Sequence, residues 1–153
     1  MTTESTGADA TAWRPDGNEL DFWLGDWDVR WADGGIGTNR LTRILGDRVI
    51  REEFSGRSPR GSLEGLSLSV YDRERRLWRQ TWVDDQGSYI DLVGERVEGW
   101  FAFVRAAPEI GPRVRQRMVF RDVEADSLRW TWERSDDDGT TWTVVWEIRY
   151  TRR

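Results

Sequence analysis

Apolar and polar residues alternate with a period of two along most of this chain. The alternation begins at Trp27, Val29 and Trp31, which are separated by charged residues. Because successive side chains of a β-strand point to opposite faces, this pattern predicts a strand with one buried face. Similar segments recur with turn-forming residues about every eight to twelve positions, which is the spacing of an all-β domain.

The pattern predicts about ten short strands, each joined to the next by a turn. After the strand around Trp27, they are expected at residues 36–45, 48–56, 62–71, 77–84, 88–97, 100–106, 113–122, 127–134 and 140–151. No segment suits a parallel crossover. The expected fold is therefore an all-β, up-and-down antiparallel β-barrel, because closing the sheet removes its edges. A two-sheet sandwich is the alternative.

The segment before the first strand divides into two parts. Residues 1–17 hold little apolar surface, which cannot offset the entropy of ordering, and they predict a flexible N-terminal tail. Residues 18–25 predict one short helical turn with Asn18 as its cap and Gly25 at its end. Residues 18–153 are expected to form a single β-barrel domain.

The composition excludes several kinds of chemistry. The 153 residues contain no Cys, no His and no Lys, so all 23 basic residues are Arg. Disulfides, thiolate or imidazole metal ligation, Cys or His nucleophiles and Schiff-base lysines are therefore excluded. Acid–base chemistry would need Asp, Glu, Tyr, Arg or water, and we expect no cofactor and no metal.

The charge and the length of the apolar runs limit the partners. A formal net charge of −5 argues against nucleic acid, which a basic patch would bind. No apolar run approaches the roughly 20 residues of a membrane span, and no signal-peptide pattern follows the start. We expect a cytoplasmic protein with a small-molecule partner and no membrane partner; a homodimer is left open.

Tryptophan is the unusual feature of the composition, with 11 residues in 153. Each indole is a large, rigid surface with a single hydrogen-bond donor. The indoles could fill the barrel core, or some could line a pocket for a flat or apolar ligand. For the group as a whole, we expect at least roughly two or three at a cavity wall.

The segment Phe22–Val29 reads FWLGDWDV, a short helical turn followed by Gly-x-Trp at the start of the first strand. This FWxGxWxV opening resembles that of the calycin superfamily, which includes lipocalins, fatty-acid-binding proteins and nitrobindins. Residues 43–56, 67–72, 78–87 and 135–142 are also similar to segments of an uncharacterised bacterial family of lipocalin-like β-barrels.

The resemblance implies a barrel that is open at one end. The other end would be closed by the helical turn and by Gly25 and Trp27, with Trp27 as a structural plug. Nitrobindins hold haem iron through a His, which this chain lacks, so haem is not expected.

Polar residues on apolar strand faces are the candidates for a site. Gln80 lies between Trp78 and Trp82 in the two-residue period, and a buried amide between indoles needs hydrogen-bond partners. The ligand-binding residues expected from such faces are Trp78, Gln80, Trp82, Tyr89, Trp130 and Trp132.

Charged side chains could add an anchor or an acid inside the cavity. Glu52 and Glu53 are adjacent, so only one can point inward, and the prediction favours Glu53 with Arg51. The catalytic candidates are Glu53, Arg51, Tyr89 and Arg117. An internal Arg–carboxylate pair could hold a ligand carboxylate or polarise a carbonyl. These choices depend on register, because a one-residue slip exchanges the two faces.

Three functions are consistent with these observations. The first is the binding of a small, largely apolar or aromatic molecule in the barrel interior. The second is a cofactor-independent isomerase, cyclase or dehydratase of bacterial secondary metabolism, with Asp, Glu, Tyr or Arg in a Trp-walled cavity. The third is a structural or interaction protein whose indoles fill the core.

Overall fold

The computed structural model describes residues 15–153, which form one closed barrel of ten antiparallel strands. The strands are β1 (Gly25–Trp31), β2 (Gly35–Ile44), β3 (Val49–Ser58), β4 (Gly61–Asp72), β5 (Leu77–Asp84), β6 (Tyr89–Val97), β7 (Trp100–Ala106), β8 (Arg115–Arg121), β9 (Ser127–Ser135) and β10 (Thr143–Arg152). The helical elements of this part of the chain are two 3-10 turns, Asp21–Trp23 and Ala32–Gly34. Each predicted strand is present.

Every strand pairs with its neighbours in sequence, and β1 closes the barrel against β10. At this closure Val29 lies opposite Tyr150. The up-and-down barrel is therefore confirmed, and the two-sheet sandwich is wrong. No helix within residues 15–153 has the length and apolar character needed to cross a bilayer.

The start of the described chain differs in detail from its prediction. Residues 1–14 of the predicted tail lie outside the described residues. Residues 15–17 contact the barrel, where the Tyr71 hydroxyl donates a hydrogen bond of 2.6 Å to the Pro15 carbonyl. Asn18 does not cap the turn through its side chain. Its backbone carbonyl instead accepts a hydrogen bond of 3.1 Å from the Asp21 N–H.

The first 3-10 turn closes one end of the barrel around Trp27. The Trp27 side chain is fully buried, and its Nε1 donates a hydrogen bond of 2.9 Å to the Trp23 carbonyl. The Arg152 guanidinium lies 4.1 Å from the centre of the Trp27 ring. It also donates hydrogen bonds of 2.7 Å and 3.1 Å to the carbonyls of Leu24 and Phe22. These contacts form a plug that ties the last strand to the turn.

The opposite end carries the β1–β2, β3–β4, β5–β6, β7–β8 and β9–β10 connections, which form a rim. Beneath this rim, the inner face of the barrel holds aromatic and aliphatic side chains around an open space. The order of elements along the barrel axis is therefore plug, packed core, cavity and rim.

Candidate ligand-binding site

A cavity of about 290 Å³ lies inside the barrel towards the rim. This volume is close to the lower limit of ligand pockets, about 300 Å³. The lining residues are aromatic (Phe54, Trp82, Trp130, Trp132, Trp146), aliphatic or thioether (Leu63, Ile90, Leu92, Met118, Ile148) and polar (Glu52, Gln80, Asp84, Ser88, Gln116, Tyr150). The cavity is thus apolar on its walls, with a few polar groups.

Phe54, Trp82, Trp130 and Trp146 of the cavity wall form a continuous series of ring contacts. Phe54 lies between Trp82 and Trp146, with ring centroids 6.3 Å and 6.1 Å away. Trp146 continues to Trp130 at 5.7 Å, with the two ring planes at 86°. Such edge-to-face contacts are favourable for aromatic pairs and hold neighbouring rings at steep angles. A ligand in the cavity therefore meets aromatic rings in several orientations.

The position of the Trp82 ring depends on the glycine at position 65 of β4, which has no side chain. A Cβ added at Gly65 would lie 2.1 Å from the indole, so this ring packs directly against the β4 backbone. The other side of the same indole is held by its Nε1, which donates a hydrogen bond of 2.8 Å to Asp84. Gly65 and Asp84 together fix one wall of the cavity.

Glu52 is the buried acid of the cavity, with 5% of its surface exposed. Its Oε1 accepts a hydrogen bond of 2.7 Å from Ser67, and its Oε2 accepts one of 2.6 Å from Asn39. Burial raises the pKa of Glu52 to about 7, although these two hydrogen bonds act in the opposite direction. The carboxyl group can therefore exchange a proton near neutral pH.

Two further polar groups lie on the inner face near Glu52. The Tyr150 hydroxyl accepts a hydrogen bond of 2.9 Å from the same Asn39 amide. Burial and the charge of Glu52 raise the pKa of Tyr150 well above its ordinary value, so the phenol stays protonated. Gln80 donates a hydrogen bond of 2.9 Å to Ser69, which satisfies part of the buried amide. The floor of the cavity thus carries an acid, a phenol and an amide.

Asp84 is the second carboxylate of the cavity and lies at the rim. Burial alone would raise the pKa of Asp84, but hydrogen bonds from Trp82, Ser88 and Gln86 together lower it. Two of these donors are backbone N–H groups of the β5–β6 loop, each 3.0 Å from Oδ1. Asp84 is therefore ionised at neutral pH.

Four of the residues predicted from the sequence lie together at this cavity, namely Gln80, Trp82, Trp130 and Trp132. Trp78 is buried on the same inner face of β5, but nearer the plug. Its Nε1 donates a hydrogen bond of 2.9 Å to Glu19, which precedes the first turn. The ligand contacts of these residues stay a prediction.

The predicted inward placement of Glu53, Arg51 and Tyr89 is wrong. Glu53 is exposed, and its carboxylate lies 3.6 Å from Arg51 on the outer surface of the barrel. Tyr89 is 73% exposed. The reason is register, because Glu52 takes the inner position of β3 and Ile90 takes that of β6.

Arg117 is buried, but on the outer face of the barrel, so its predicted interior position is also wrong. Its Nε donates a hydrogen bond of 2.8 Å to Glu133, and its guanidinium lies 4.0 Å from the centre of the Trp142 ring. Glu133 also accepts a hydrogen bond of 2.9 Å from Arg121. Met118 takes the inner position next to Arg117. Arg117 therefore belongs to an external ion cluster.

Sequence reasoning missed Glu52, Asn39 and Tyr150 as members of the site. One local signal was available for Glu52, because the large apolar residues Ile50 and Phe54 share its face in the two-residue alternation. Asn39 and Tyr150 reach Glu52 only after the barrel closes.

Among the comparisons with known proteins, a solved structure supports the fold. No protein-family model and no curated protein matches the chain. An S-type phycobiliprotein lyase from Guillardia theta has a similar structure, with a TM-score of 0.55 and 9% sequence identity over 88% of this chain and 90% of the lyase. A de novo designed fluorescence-activating β-barrel gives a TM-score of 0.47 and 16% identity over 90% of this chain and 98% of the design. At these identities, the likeness to the lyase concerns the fold alone.

Proposed function

We propose that this protein binds a small, largely apolar or aromatic molecule inside its barrel. The observation that carries the proposal is the cavity of about 290 Å³ with four indole side chains in its wall. A structural protein with a filled core would not leave this space. The few polar groups at the floor and rim suit the usual design of a ligand pocket, in which apolar walls provide affinity and polar groups orient the ligand.

The calycin superfamily is the family we propose for the chain. The support is the FWxGxWxV opening together with the buried Trp27 beside the first turn, the position that the resemblance gives to the structural plug. We also propose that the protein is cytoplasmic and that its partner is a small molecule rather than a nucleic acid.

Ligand binding can be tested through the indoles themselves. A panel of one- and two-ring aromatic compounds is titrated into the protein while tryptophan fluorescence is recorded. We expect at least one compound to bind, and Trp132→Leu to weaken its affinity about tenfold, since burying an aromatic ligand against an indole contributes about 1–2 kcal/mol. Trp100→Leu is the control, because Trp100 lies at the start of β7 and outside the cavity lining. The absence of any binding, or equal affinities of the two variants, would contradict the proposal.

A cofactor-independent isomerase, cyclase or dehydratase is the second candidate, and Glu52 is the observation that favours it. A buried carboxyl group that lines the cavity and has a pKa of about 7 can act as a general acid or base at neutral pH. Tyr150 and Gln80 line the same cavity and could orient a carbonyl group.

The enzyme hypothesis predicts a separation of turnover from binding. Carbonyl-containing compounds that bind are incubated with the protein, and the products are identified by mass spectrometry. Glu52→Gln should abolish turnover while a neutral ligand still binds. Unchanged turnover in this variant would exclude Glu52 as the acid or base.

A further inference from the structure

The charged side chains that line the cavity are acidic. The chain has 23 Arg residues, yet none belongs to the described residues that line the cavity. The charged groups of this lining are Glu52 near the floor and Asp84 at the rim. The space is therefore bordered by two carboxylates and by aromatic rings.

Glu52 receives only neutral hydrogen-bond donors from the strands around it. The donors are the Asn39 amide of β2 and the Ser67 hydroxyl of β4, while Tyr150 of β10 and Gln80 of β5 are uncharged neighbours on the inner face. An ionised carboxylate without a counter-charge is costly to bury. Its charge could be balanced by a ligand.

The guanidinium groups on the inner face beside Gln116, Arg105 of β7 and Arg134 of β9, are already paired, and Arg134 lies 2.8 Å from Asp136. Arg105 lies by the rim and donates a hydrogen bond of 2.7 Å to Gln116. The same guanidinium forms an ion pair with Glu109 of the β7–β8 loop. Neither ion pair carries a net charge, so neither neutralises the two carboxylates of the cavity.

The aromatic wall adds a second, independent preference for positive charge. Four lining residues are Trp, whose ring face attracts cations more strongly than that of Phe or Tyr. The perpendicular contact of Trp130 and Trp146, at 86°, and the 65° contact of Phe54 and Trp82 place rings on different sides of the space. Aromatic groups at steep angles around a cavity suit a quaternary or protonated amine.

We propose that the ligand is an organic cation, in which a quaternary or protonated amine lies among the indoles close to Glu52 and a small apolar body fills the remaining space. This inference rests on the proposed function, because it names the class of molecule that the same cavity binds. Glu52 and Asp84 provide the opposite charge, and the indoles provide the surface.

Two probes of the same shape test this preference in the unmodified protein. Benzyltrimethylammonium carries the charge, and neopentylbenzene replaces its nitrogen with carbon. We expect the cation to bind at least about tenfold more tightly by calorimetry and tryptophan fluorescence. If the neutral probe binds equally well, the cation proposal fails and the binding proposal stands. If neither probe binds, the cation proposal fails, and the panel of aromatic compounds decides the binding proposal by itself.

The pH dependence of binding provides a second test. Benzyltrimethylammonium does not titrate, and Asp84 is ionised and Tyr150 protonated throughout the range used. Affinity for the cation should therefore rise as Glu52 ionises between about pH 5.5 and 8.5, while affinity for neopentylbenzene stays constant. A constant cation affinity over this range would overturn the proposal, without any need for a variant.

A pair of neighbouring substitutions completes the design. Glu52→Gln should lower the affinity for the cation at least about fivefold at pH 8.5 and remove its pH dependence. Glu53→Gln should do neither, because Glu53 lies on the outer surface. Equal behaviour of the two variants towards the cation would contradict the assignment to Glu52.

Discussion

The amide nitrogen of Asn39 donates a hydrogen bond of 2.6 Å to the carboxyl group of Glu52. The same nitrogen lies 2.9 Å from the Tyr150 hydroxyl. One amide therefore joins β2, β3 and β10 beneath the cavity. The contact holds an acid of unusual pKa in place, and several consequences can be measured.

The first prediction concerns stability as a function of pH. Each pKa unit corresponds to about 1.4 kcal/mol, so the rise of the Glu52 pKa from 4.5 to about 7 corresponds to about 3 kcal/mol. The native state holds the proton more tightly than the unfolded state. The stability gained from this is fully present below about pH 4.5 and is lost as the pH rises to about 7.

Glu52→Gln should remove this dependence. The free energy of unfolding of wild type minus that of the variant, measured by denaturant titration, should fall by about 3 kcal/mol between pH 4.5 and pH 8. Glu53→Gln is the control and should give a nearly constant difference, because Glu53 is exposed. Parallel pH curves for wild type and Glu52→Gln would show that Glu52 titrates normally.

The second prediction concerns the glycine behind Trp82. In Gly65→Ala, the new Cβ would lie 2.1 Å from the indole, which must move towards the cavity. We expect a loss of stability of about 1–3 kcal/mol and a larger loss of ligand affinity per folded molecule. Adding Trp82→Phe, which replaces the indole with a smaller phenyl ring, should recover much of the lost stability. Normal stability and affinity in Gly65→Ala alone would contradict this picture.

The third prediction concerns the external ion cluster. Burial raises the pKa of Glu133, but hydrogen bonds from Thr131, Arg121 and Arg117 outweigh this and lower it. Glu133→Gln leaves Arg117 buried without its carboxylate and should cost about 3 kcal/mol at neutral pH. The wild-type contribution is present above about pH 4.5 and is lost as the pH falls through the lowered pKa.

Ligand affinity should not change in Glu133→Gln, since the cluster lies on the outer face. Glu147→Gln is a suitable comparison, because Glu147 is also on the outside but its closest oxygens lie 3.5 Å from Arg129 and Arg149. Its unfolding free energy should change by less than about 1 kcal/mol. A large affinity loss in Glu133→Gln would mean that the cluster acts on the cavity.

The fourth prediction concerns the plug. Arg152→Ala removes a guanidinium that stacks on Trp27 and donates to backbone carbonyls of the first turn. We expect a loss of about 2–3 kcal/mol in the free energy of unfolding. Arg153→Ala, which removes only an exposed ion pair with Asp28, should change it by less than about 1 kcal/mol. Equal effects would show that the stacked guanidinium adds nothing to the plug.

Most of the barrel could be predicted from local patterns, because each strand alternates and each turn is short. β5 and β9 show this most clearly, since the apolar neighbours of Gln80 and Trp132 predict an inner position for both residues, and both line the cavity. The turn residues between the strands mark where each strand ends, as they do in other hairpin-linked sheets.

The charged part of the site could not be predicted in the same way. In β3 the sequence places Arg51, Glu52 and Glu53 together, so either face receives a charge and the alternation is weak at its centre. Only the flanking Ile50 and Phe54 distinguish the two registers. The partners of Glu52 lie on other strands, and Tyr150 is 111 residues from Asn39. No local sequence pattern predicts a contact between residues that are so far apart along the chain.

The plug around Trp27 and the rim above Trp82 lie at opposite ends of the barrel and have no residue in common. Substitutions in the rim loops can therefore alter the entrance to the cavity while the contacts of the plug stay intact. Stability and ligand choice can change separately in such a molecule. This makes the barrel a suitable scaffold for evolving or engineering receptors for new small molecules, with the loops as the variable part and the plug as the constant part.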